Sequence, residues 1–324
     1  MIKVKRLLVL ALTGVIAGSM LVGCGNKENK TQEKSSKAIS AINLTYVKSP
    51  LNVPSIIEKN NKSFDKEFEK DNMSIKWHEI TAGPQQTQAL AAGELQFLHA
   101  LGGTSAILAA SNGVDLKIIN VYSRAPKAFM IITKNDNIKT PKDLKGKKVA
   151  GPKGTVLHQL LVGALEKNGL KQENIEFVNM GIPEALAALN NKSVDAALLA
   201  GPAALKAVKS GAKIVTNGEG IVEGTIVTAV SEKFLKDNPQ IVERFKKVHN
   251  ETIDYIKNNF DQAIDIASKE VGLTPEETKQ MYSWYDFNTN ITDKDIQELK
   301  KTQEFMMKNG LQQKEVKIED LIQK

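Results

Sequence analysis

The sequence predicts an α/β fold arranged in two lobes. From Ile42 onward, short runs of β-forming residues alternate with longer amphipathic stretches, which is typical of a sheet covered by helices. The 324-residue chain exceeds the length at which one hydrophobic core usually stops growing, so two lobes are expected. After Val230 the pattern changes, and the chain is almost entirely helical from Asn238 to Gln323.

The first part of the alternation predicts three strands, each followed by a helix. These strand and helix pairs are Ile42 to Val47 with Pro54 to Lys70, Ser74 to Ile80 with Pro84 to Gly93, and Leu95 to Leu101 with Thr104 to Asn112. Because a helix separates consecutive strands, we expect the strands to pair largely in parallel.

The second part repeats this alternation. The predicted strands are Lys147 to Ala150, Ile175 to Val178, Val194 to Leu199 and Lys213 to Val215. The predicted helices are Thr155 to Asn168, Pro183 to Asn190 and Ala203 to Ser210. The helical tail is interrupted at Thr274-Pro275 and at Asn288 to Thr292, where the residues favour helix caps.

The N-terminus has the build of an export signal. Three basic residues within the first six precede an apolar run, Leu7 to Val22, that is shorter than the roughly 18 to 20 residues needed to span a membrane. The run ends in Leu21-Val22-Gly23-Cys24, which resembles a bacterial lipobox. The resemblance implies a signal peptide over residues 1–23, cleavage before Cys24 and a lipid on its thiol. A plain secretory signal with an incidental cysteine is the alternative.

Residues 24–41 are predicted to be a lipidated tether. The segment from Gly25 to Ser40 holds no aromatic residue and is dominated by Lys, Glu, Asn, Gln and Ser, which cannot bury enough apolar surface to fold. Since Cys24 is the only cysteine, an internal disulfide is excluded.

The charge pattern gives no indication of a nucleic-acid-binding face. The formal net charge is +7, but the lysines are scattered among acidic residues and form no block of like charge. We therefore expect a solvated surface and no nucleic-acid partner.

A family resemblance begins in the middle of the chain. Thr140 to Ala150 reads Thr-Pro-Lys-Asp-Leu-Lys-Gly-Lys-Lys-Val-Ala, with an N-cap threonine, a proline at the first helical position and a turn at Gly146. With the helix start at Gly154 to His158 and the stretch from Ala185 to Ala196, it resembles two-lobed, type II periplasmic-type binding proteins of ABC importers. The similarity is to the branch that binds aliphatic sulfonates, taurine, nitrate and thiamine pyrimidine precursors.

The resemblance implies a domain layout. Lobe 1 is expected to comprise residues 42–126 and 228–324, and lobe 2 residues 127–227. Two crossover strands, Ala128 to Thr133 and Gly224 to Val230, would form the hinge, and the helical tail would pack on lobe 1.

The resemblance also implies a function. We expect a monomeric solute-binding lipoprotein on the extracytoplasmic face of the cell membrane, anchored through Cys24. Its partners would be a small solute and the permease and ATPase subunits of an ABC importer, and no cofactor is expected.

Candidate ligand-binding residues lie where strands lead into helices. Ligands of open α/β sheets bind beyond the carboxyl ends of strands, where helix N-termini present unpaired N–H groups. Such positions in the two lobes would bind a sulfonate, carboxylate, nitrate or phosphate-like group. The predicted residues at helix starts are Gly103, Thr104, Ser105, Gly154 and Thr155, and Ser49, Gly201 and Thr225 complete the loop and crossover positions.

Two further candidates have structural alternatives. Arg124, one of three arginines, precedes a crossover and could bind an oxyanion with two parallel hydrogen bonds, but it could equally fix the hinge. His158 lies on the first turn of a predicted helix and could donate into the cleft, or it could serve in capping or packing.

Two departures from the family pattern bear on the ligand. Gly201-Pro202 replaces the acidic residue that many relatives carry before this proline, and Gln96 occupies the position that matches Asp195 in a weak internal repeat. Loss of an acid removes a partner for a ligand ammonium, so an amine-free anion or a neutral ring is expected in preference to taurine. Phosphate-type and pyrimidine-type ligands stay open.

Catalytic and metal-binding patterns are not found. The four histidines, His78, His99, His158 and His249, show no metal-ligand spacing, so no metal site is predicted. The sequence contains no G-x-S-x-G elbow, P-loop or complete G-x-G-x-x-G. We expect a binding protein and no catalytic residues, with an enzyme on the same fold, such as a pyrimidine-precursor synthase, or a sensory lipoprotein as alternatives.

Overall fold

A computed structural model describes residues 39–47 and 51–323. Within this part of the chain, ten strands and twelve α-helices make a mixed α/β fold. The strands are β1 (Ala41–Tyr46), β2 (Ser74–Glu79), β3 (Leu98–Gly102), β4 (Lys117–Arg124), β5 (Phe129–Thr133), β6 (Lys148–Gly151), β7 (Glu176–Asn179), β8 (Ala196–Ala200), β9 (Lys213–Asn217) and β10 (Thr225–Val230).

The helices surround these strands and form the C-terminal part of the chain. They are α1 (Val53–Asn60), α2 (Ser63–Phe68), α3 (Gly83–Ala91), α4 (Gly103–Ser111), α5 (Val156–Lys167), α6 (Ile182–Asn190), α7 (Gly201–Lys209), α8 (Glu232–Asp237), α9 (Pro239–Asn258), α10 (Phe260–Val271), α11 (Pro275–Tyr282) and α12 (Asp293–Lys308).

The strands form three sheets. β1 and β2 pair in parallel, and β10 lies between β3 and β4, antiparallel to both. The third sheet has the order β7-β6-β8-β5-β9. In it β6 runs parallel to β7 and β8, whereas β5 runs antiparallel to β8 and β9.

The expectation of largely parallel pairing is therefore wrong for β5 and β10. These strands were predicted as the crossovers. Each follows a strand that belongs to a different sheet, and no α-helix lies between the two strands. β5 follows β4 after only a 3₁₀ turn, Pro126–Ala128, and β10 follows β9 through a loop. Because no βαβ unit precedes either strand, nothing forces it into parallel alignment.

Two element boundaries and one strand also differ from the prediction. The helix expected over Pro54 to Lys70 is broken between α1 and α2, where Lys62 adopts a left-handed backbone with φ of 53°. Strand β4 was not predicted, although most of its residues are buried. The helical tail begins at Glu232, ahead of the expected Asn238, because Ser231 accepts a hydrogen bond from the Phe234 N–H and caps α8.

Candidate functional site

Four helices begin around one cavity of about 490 Å³, which we call the cleft chamber. α3 and α4 follow β2 and β3, and α5 and α6 follow β6 and β7, so each helix start lies beyond the carboxyl end of a strand. The residues that these helix starts contribute to the lining are Gly83, Pro84, Gln85, Gly102, Ser105, Thr155, Val156, Leu157, Gly181, Ile182, Pro183 and Glu184.

The helix starts present main-chain donors to the chamber. α3, α4 and α6 have no side chain that caps the first turn, whereas the Thr155 hydroxyl of α5 accepts the His158 N–H at 3.4 Å. First-turn N–H groups have no partner within the helix, and the helix dipole places partial positive charge there. In α3 and α6, however, Pro84 and Pro183 supply no N–H, and the Gln85 N–H already donates to the Ala82 carbonyl at 3.0 Å. The chamber therefore suits an anionic group.

The hydroxyls predicted to bind the anion are engaged within the protein. Thr104 donates to Gln159 Oε1 at 2.6 Å, Ser105 donates to the Gly154 carbonyl at 2.8 Å, and Thr155 donates to the Pro152 carbonyl at 2.8 Å. A hydroxyl has one hydrogen, so in this arrangement none of the three can donate to an oxyanion. Recognition of an anion in the chamber thus falls to main-chain N–H groups and to Lys153, a cationic residue in the chamber lining.

Charged side chains also line the chamber. Glu79, Lys153 and Glu184 contribute to its wall. A Cβ atom added to Gly181 would lie 2.4 Å from Glu184 Oε2, which shows that this carboxylate folds over the start of α6. A negative group already covers that helix start, so the starts of α4 and α5 are the better anion sites.

Arg124 lies outside the chamber lining and is fully engaged with the C-terminal part of the chain. It makes a bidentate pair with Asp295, at 2.6 Å for both bonds, and bonds Asp286 Oδ2 at 3.1 Å. The carbonyls of Asn288 and Asn290 accept its other two hydrogens. All five guanidinium N–H groups have partners, so the structure assigns Arg124 to the structural alternative and corrects its prediction as a ligand contact.

A second cavity of about 1010 Å³, the outer chamber, adjoins the cleft chamber. The two share the lining residues Pro84, Ser105, Lys153 and Asn179. Gly154 and His158 line the outer chamber only, together with apolar side chains that include Leu108, Phe177 and Leu311. The structure thus brings Ser105, Gly154, Thr155 and His158 together where the two chambers meet.

The other predicted residues lie elsewhere. A Cβ on Gly103 would meet Leu299 Cδ2 at 2.9 Å and the Thr225 carbonyl at 3.3 Å, so Gly103 and Thr225 pack against each other and α12. Gly201 is buried at the start of α7, with φ of 50°. None of the three lines either chamber. Ser49 and Cys24 lie outside the described residues.

The residues used to argue against a ligand ammonium are structural as well. Gln96 Oε1 accepts the Asn43 N–H at 2.8 Å, and Asp195 Oδ2 accepts the Lys148 N–H at 2.9 Å. Neither side chain lines the chamber, so their difference says nothing about the ligand. The carboxylates that do face it are Glu79 and Glu184.

Sequence reasoning missed the starts of α3 and α6 as parts of the site. Both carry a readable signal: Gly83-Pro84 and Gly181-Ile182-Pro183 place glycine and proline at a helix start directly after a strand. Phe129, at the start of β5, also lines the chamber and had no such signal.

A separate polar cluster lies in the core, away from both chambers. Glu58, His99 and His249 are each 0% exposed. Glu58 accepts an N–H from His99 Nε2 and another from His249 Nδ1, both at 2.7 Å. Burial by itself raises the pKa of Glu58, but the two imidazoles outweigh it and lower that pKa to about 2.

The cluster has the donor types of a metal site, two imidazoles and a carboxylate. Its three potential ligand atoms lie within 4.8 Å of one another. However, nitrogen ligands about 2.0 Å from a tetrahedral zinc stand roughly 3.3 Å from their neighbours. Contacts of 2.7 Å between carboxylate and imidazole fit direct hydrogen bonds better. We interpret the cluster as a buried hydrogen-bonded charge.

Within the described residues, no helix is both long and apolar enough to cross a membrane. The model of the family described as NMT1/THI5 like matches residues 68–263. A Bacillus subtilis (strain 168) protein named as an aliphatic sulfonates-binding protein is 31% identical over 307 residues, which cover 94% of this chain and 91% of that protein. The taurine-binding periplasmic protein of Escherichia coli (strain K12) is 27% identical over 211 residues, 64% of each chain.

Among solved structures, the alkanesulfonate-binding protein SsuA from Xanthomonas axonopodis pv. citri bound to MOPS matches with a TM-score of 0.80. The sequence identity is 23%, and the match covers 88% of this chain and 98% of that chain. The periplasmic-binding-protein fold expected from the sequence is confirmed, and the named relatives are binding proteins, not enzymes. The chain belongs to the NMT1/THI5-like family.

Proposed function

We propose that this protein is the solute-binding component of an ABC importer and that it binds a small sulfonate, or a similar oxyanion, in the cleft chamber. The single observation that carries the proposal is the meeting of four helix starts around one chamber. The names of the relatives add weight, since they refer to aliphatic sulfonates and taurine.

The anion would be bound by main-chain N–H groups at the starts of α4 and α5. A sulfonate carries its charge on three oxygens, which can each accept hydrogen bonds without being protonated near neutral pH. Apolar side chains, among them Ile80, Phe129 and Leu157, line the rest of the chamber and would contact the organic part of the ligand.

We propose that lobe 1 comprises residues 42–126 and 228–324 and lobe 2 residues 127–227. The five-stranded sheet supports this division because it uses β5 to β9 and no other strand. The α4 start then belongs to lobe 1 and the α5 start to lobe 2. A ligand that contacts both would favour the closed form, as a closing receptor requires.

We further propose that residues 1–23 are a signal peptide and that lipid on Cys24 anchors the monomeric protein on the extracytoplasmic face. The sequence pattern at Leu21 to Cys24 supports this. The proposed tether ends at Ser40, one residue earlier than expected, because Ala41 is the first residue of β1. A Cys24→Ser protein should bind ligand normally and leave the membrane fraction. Retention of that variant in washed membranes would contradict the anchor.

A pyrimidine precursor is the weaker ligand candidate. Planar rings are commonly bound between aromatic side chains, and Phe129 is the only aromatic side chain among the described residues that line the cleft chamber. A ring would also make little use of four helix starts.

Calorimetry with the full chain in mild detergent tests the proposal. The ligands are butanesulfonate, taurine, nitrate and a pyrimidine precursor, and pentanoate is the matched control with a planar carboxylate. We expect butanesulfonate to bind more tightly than pentanoate, because three oxygens can reach both helix starts. Absence of heat with every anion would refute the anion assignment, and binding of the pyrimidine alone would favour that alternative.

A further inference from the structure

Both main-chain polar atoms of Gly154 are engaged where the two chambers meet. Its N–H donates to Nδ1 of His158 at 3.3 Å. The carbonyl of Gly154 accepts the hydroxyl hydrogen of Ser105 at 2.8 Å. His158 lies on α5 and Ser105 on α4, so this glycine connects the imidazole with the opposite side of the cleft.

The hydrogen bonds fix the protonation state of the imidazole. A main-chain N–H can only donate, so Nδ1 of His158 must be an unprotonated acceptor. The ring then carries its hydrogen on Nε2, where Gln172 Oε1 accepts it at 3.0 Å. A stacked contact with Phe177, with ring centroids 4.9 Å apart, holds the ring plane. A second proton would sit on Nδ1 and face the Gly154 N–H directly.

We propose that His158 is a positioning residue that acts through Gly154. Its neutral ring holds the Gly154 N–H and so fixes the backbone turn that presents the Gly154 carbonyl to Ser105, and protonation of the ring releases that turn and opens the cleft. This inference rests on the proposed function, because it assumes that closure across α4 and α5 accompanies ligand binding.

The surroundings of His158 favour the neutral ring. The side chain is 2% exposed, and burial lowers its pKa, as does the charge of Lys153, against the raising effect of the Gln172 hydrogen bond. Lys153 and Glu173 are the charged residues that line the outer chamber with His158. Phe177 and Asn309, on the other elements packed there, carry no charge.

The sign of the pH dependence follows from this arrangement. Opening of the cleft would withdraw Leu108 and Leu311, which line the outer chamber with His158, so water would reach the ring and its pKa would return toward the ordinary value of about 6.5. The closed form holds fewer protons, so closure is fully favoured above that value and is weakened as the pH falls below it. Ligand affinity should fall by up to about tenfold for each pH unit below about 6.5, until the lowered pKa of the closed form is reached.

The test measures the affinity of the full-length protein for butanesulfonate between pH 7.5 and 5.5, because this sulfonate stays ionised throughout. His158→Leu removes the acceptor and should lower affinity at every pH. His158→Asn is the rescue variant, because its Oδ1 can accept the Gly154 N–H without titrating. It should keep affinity within about threefold of the wild-type value at pH 7.5 and show a flat profile. His78→Asn, at a histidine that bonds Asn43 and lines neither chamber, should retain the wild-type profile.

A flat wild-type profile, or a wild-type profile in His158→Asn, would overturn the inference. A ligand-free measurement separates this result from failure of the proposed function. In NMR spectra of the protein without ligand, the Gly154 amide signal should shift with the same midpoint as the His158 ring, and the shift should be absent in His158→Asn. A Gly154 amide that ignores the His158 titration refutes the relay even if no sulfonate binds.

Discussion

Thr104 on α4 donates its hydroxyl hydrogen to the side-chain oxygen of Gln159 on α5 at 2.6 Å. The same amide group donates to the hydroxyl of Thr302 on α12 at 3.3 Å. Thr104 and Gln159 are 3% and 8% exposed. Since α5 connects β6 and β7 of the five-stranded sheet, whereas α4 and α12 lie outside residues 127–227, Gln159 joins the two proposed lobes outside the lining of the cleft chamber.

Replacing Gln159 by Met should weaken ligand binding without unfolding the protein. Met keeps the length of the side chain but leaves the buried Thr104 hydroxyl without an acceptor when the lobes close. We expect affinity for butanesulfonate to fall about tenfold. Calorimetry measures this, with circular dichroism to check the fold. Thr302→Val, which removes only the longer bond, is the matched control and should have a smaller effect. Equal affinity in all three proteins would contradict a role for Gln159 in closure.

Replacing Arg124 by Lys should lower stability and spare affinity. Lys cannot make the bidentate contact with Asp295, whose side chain is 4% exposed, and it cannot serve the carbonyls of Asn288 and Asn290 together. We expect a loss of about 2 to 4 kcal/mol in the free energy of unfolding, measured with urea. Arg244→Lys, whose partners are more exposed, should cost less. A large loss of sulfonate affinity with unchanged stability would return Arg124 to the ligand site.

Replacing Glu184 by Gln should strengthen binding of an anion. The carboxylate covers the start of α6 and lines the cleft chamber, so its charge opposes that of the ligand. We expect affinity for butanesulfonate to rise about two- to fivefold at low salt, and less in 0.5 M salt because the interaction is screened. Glu176→Gln, which breaks only the exposed pair with Lys148, should leave affinity unchanged. A fall in affinity in Glu184→Gln would show that the carboxylate contacts a positive part of the ligand.

Replacing Glu58 by Gln should destabilise the core at neutral pH. Gln keeps the shape, but its amide nitrogen would face an imidazole N–H that the carboxylate now accepts. We expect a loss of about 3 to 5 kcal/mol in the free energy of unfolding at pH 7. Urea denaturation of both proteins measures the difference.

The pH dependence of this difference provides a second check. The pKa of Glu58 in the folded protein, about 2, lies below its ordinary value of 4.5, so its stabilisation is complete above pH 4.5 and is lost as the pH falls toward 2. The gap between the wild-type protein and Glu58→Gln should therefore narrow in acid. A gap that stays constant from pH 7 to pH 3 would contradict the assignment of an ionised Glu58.

The starts of α4 and α5 could be predicted because local chemistry marks them. Gly102-Gly103-Thr104 and Gly154-Thr155 each follow a β-forming run, and glycine, threonine and proline favour such turns. Strand β4 was missed because no α-helix follows it, whereas an α-helix follows each of β1, β2 and β3. A 3₁₀ turn, Pro126–Ala128, leads directly into β5 instead.

The partners of the site side chains could not be predicted, because they are remote in sequence. Thr104 bonds a residue 55 positions away, and Arg124 bonds Asp295 across 171 positions. A sequence shows that a hydroxyl or a guanidinium is present, but not whether its hydrogens remain available once the chain has folded. That availability separates a ligand contact from a structural bond, and tertiary packing decides it.

The internal bonds of Thr104, Ser105 and Thr155 have a consequence for how this receptor could change its specificity. Most contacts to an anion in the cleft chamber would come from peptide groups, which every residue type except proline supplies. Point mutations in the wall can therefore alter the space around the organic part of a ligand while the anion contacts persist. A lineage of such proteins could exchange one sulfonate for another gradually, without passing through a form that has lost its hold on the charged group.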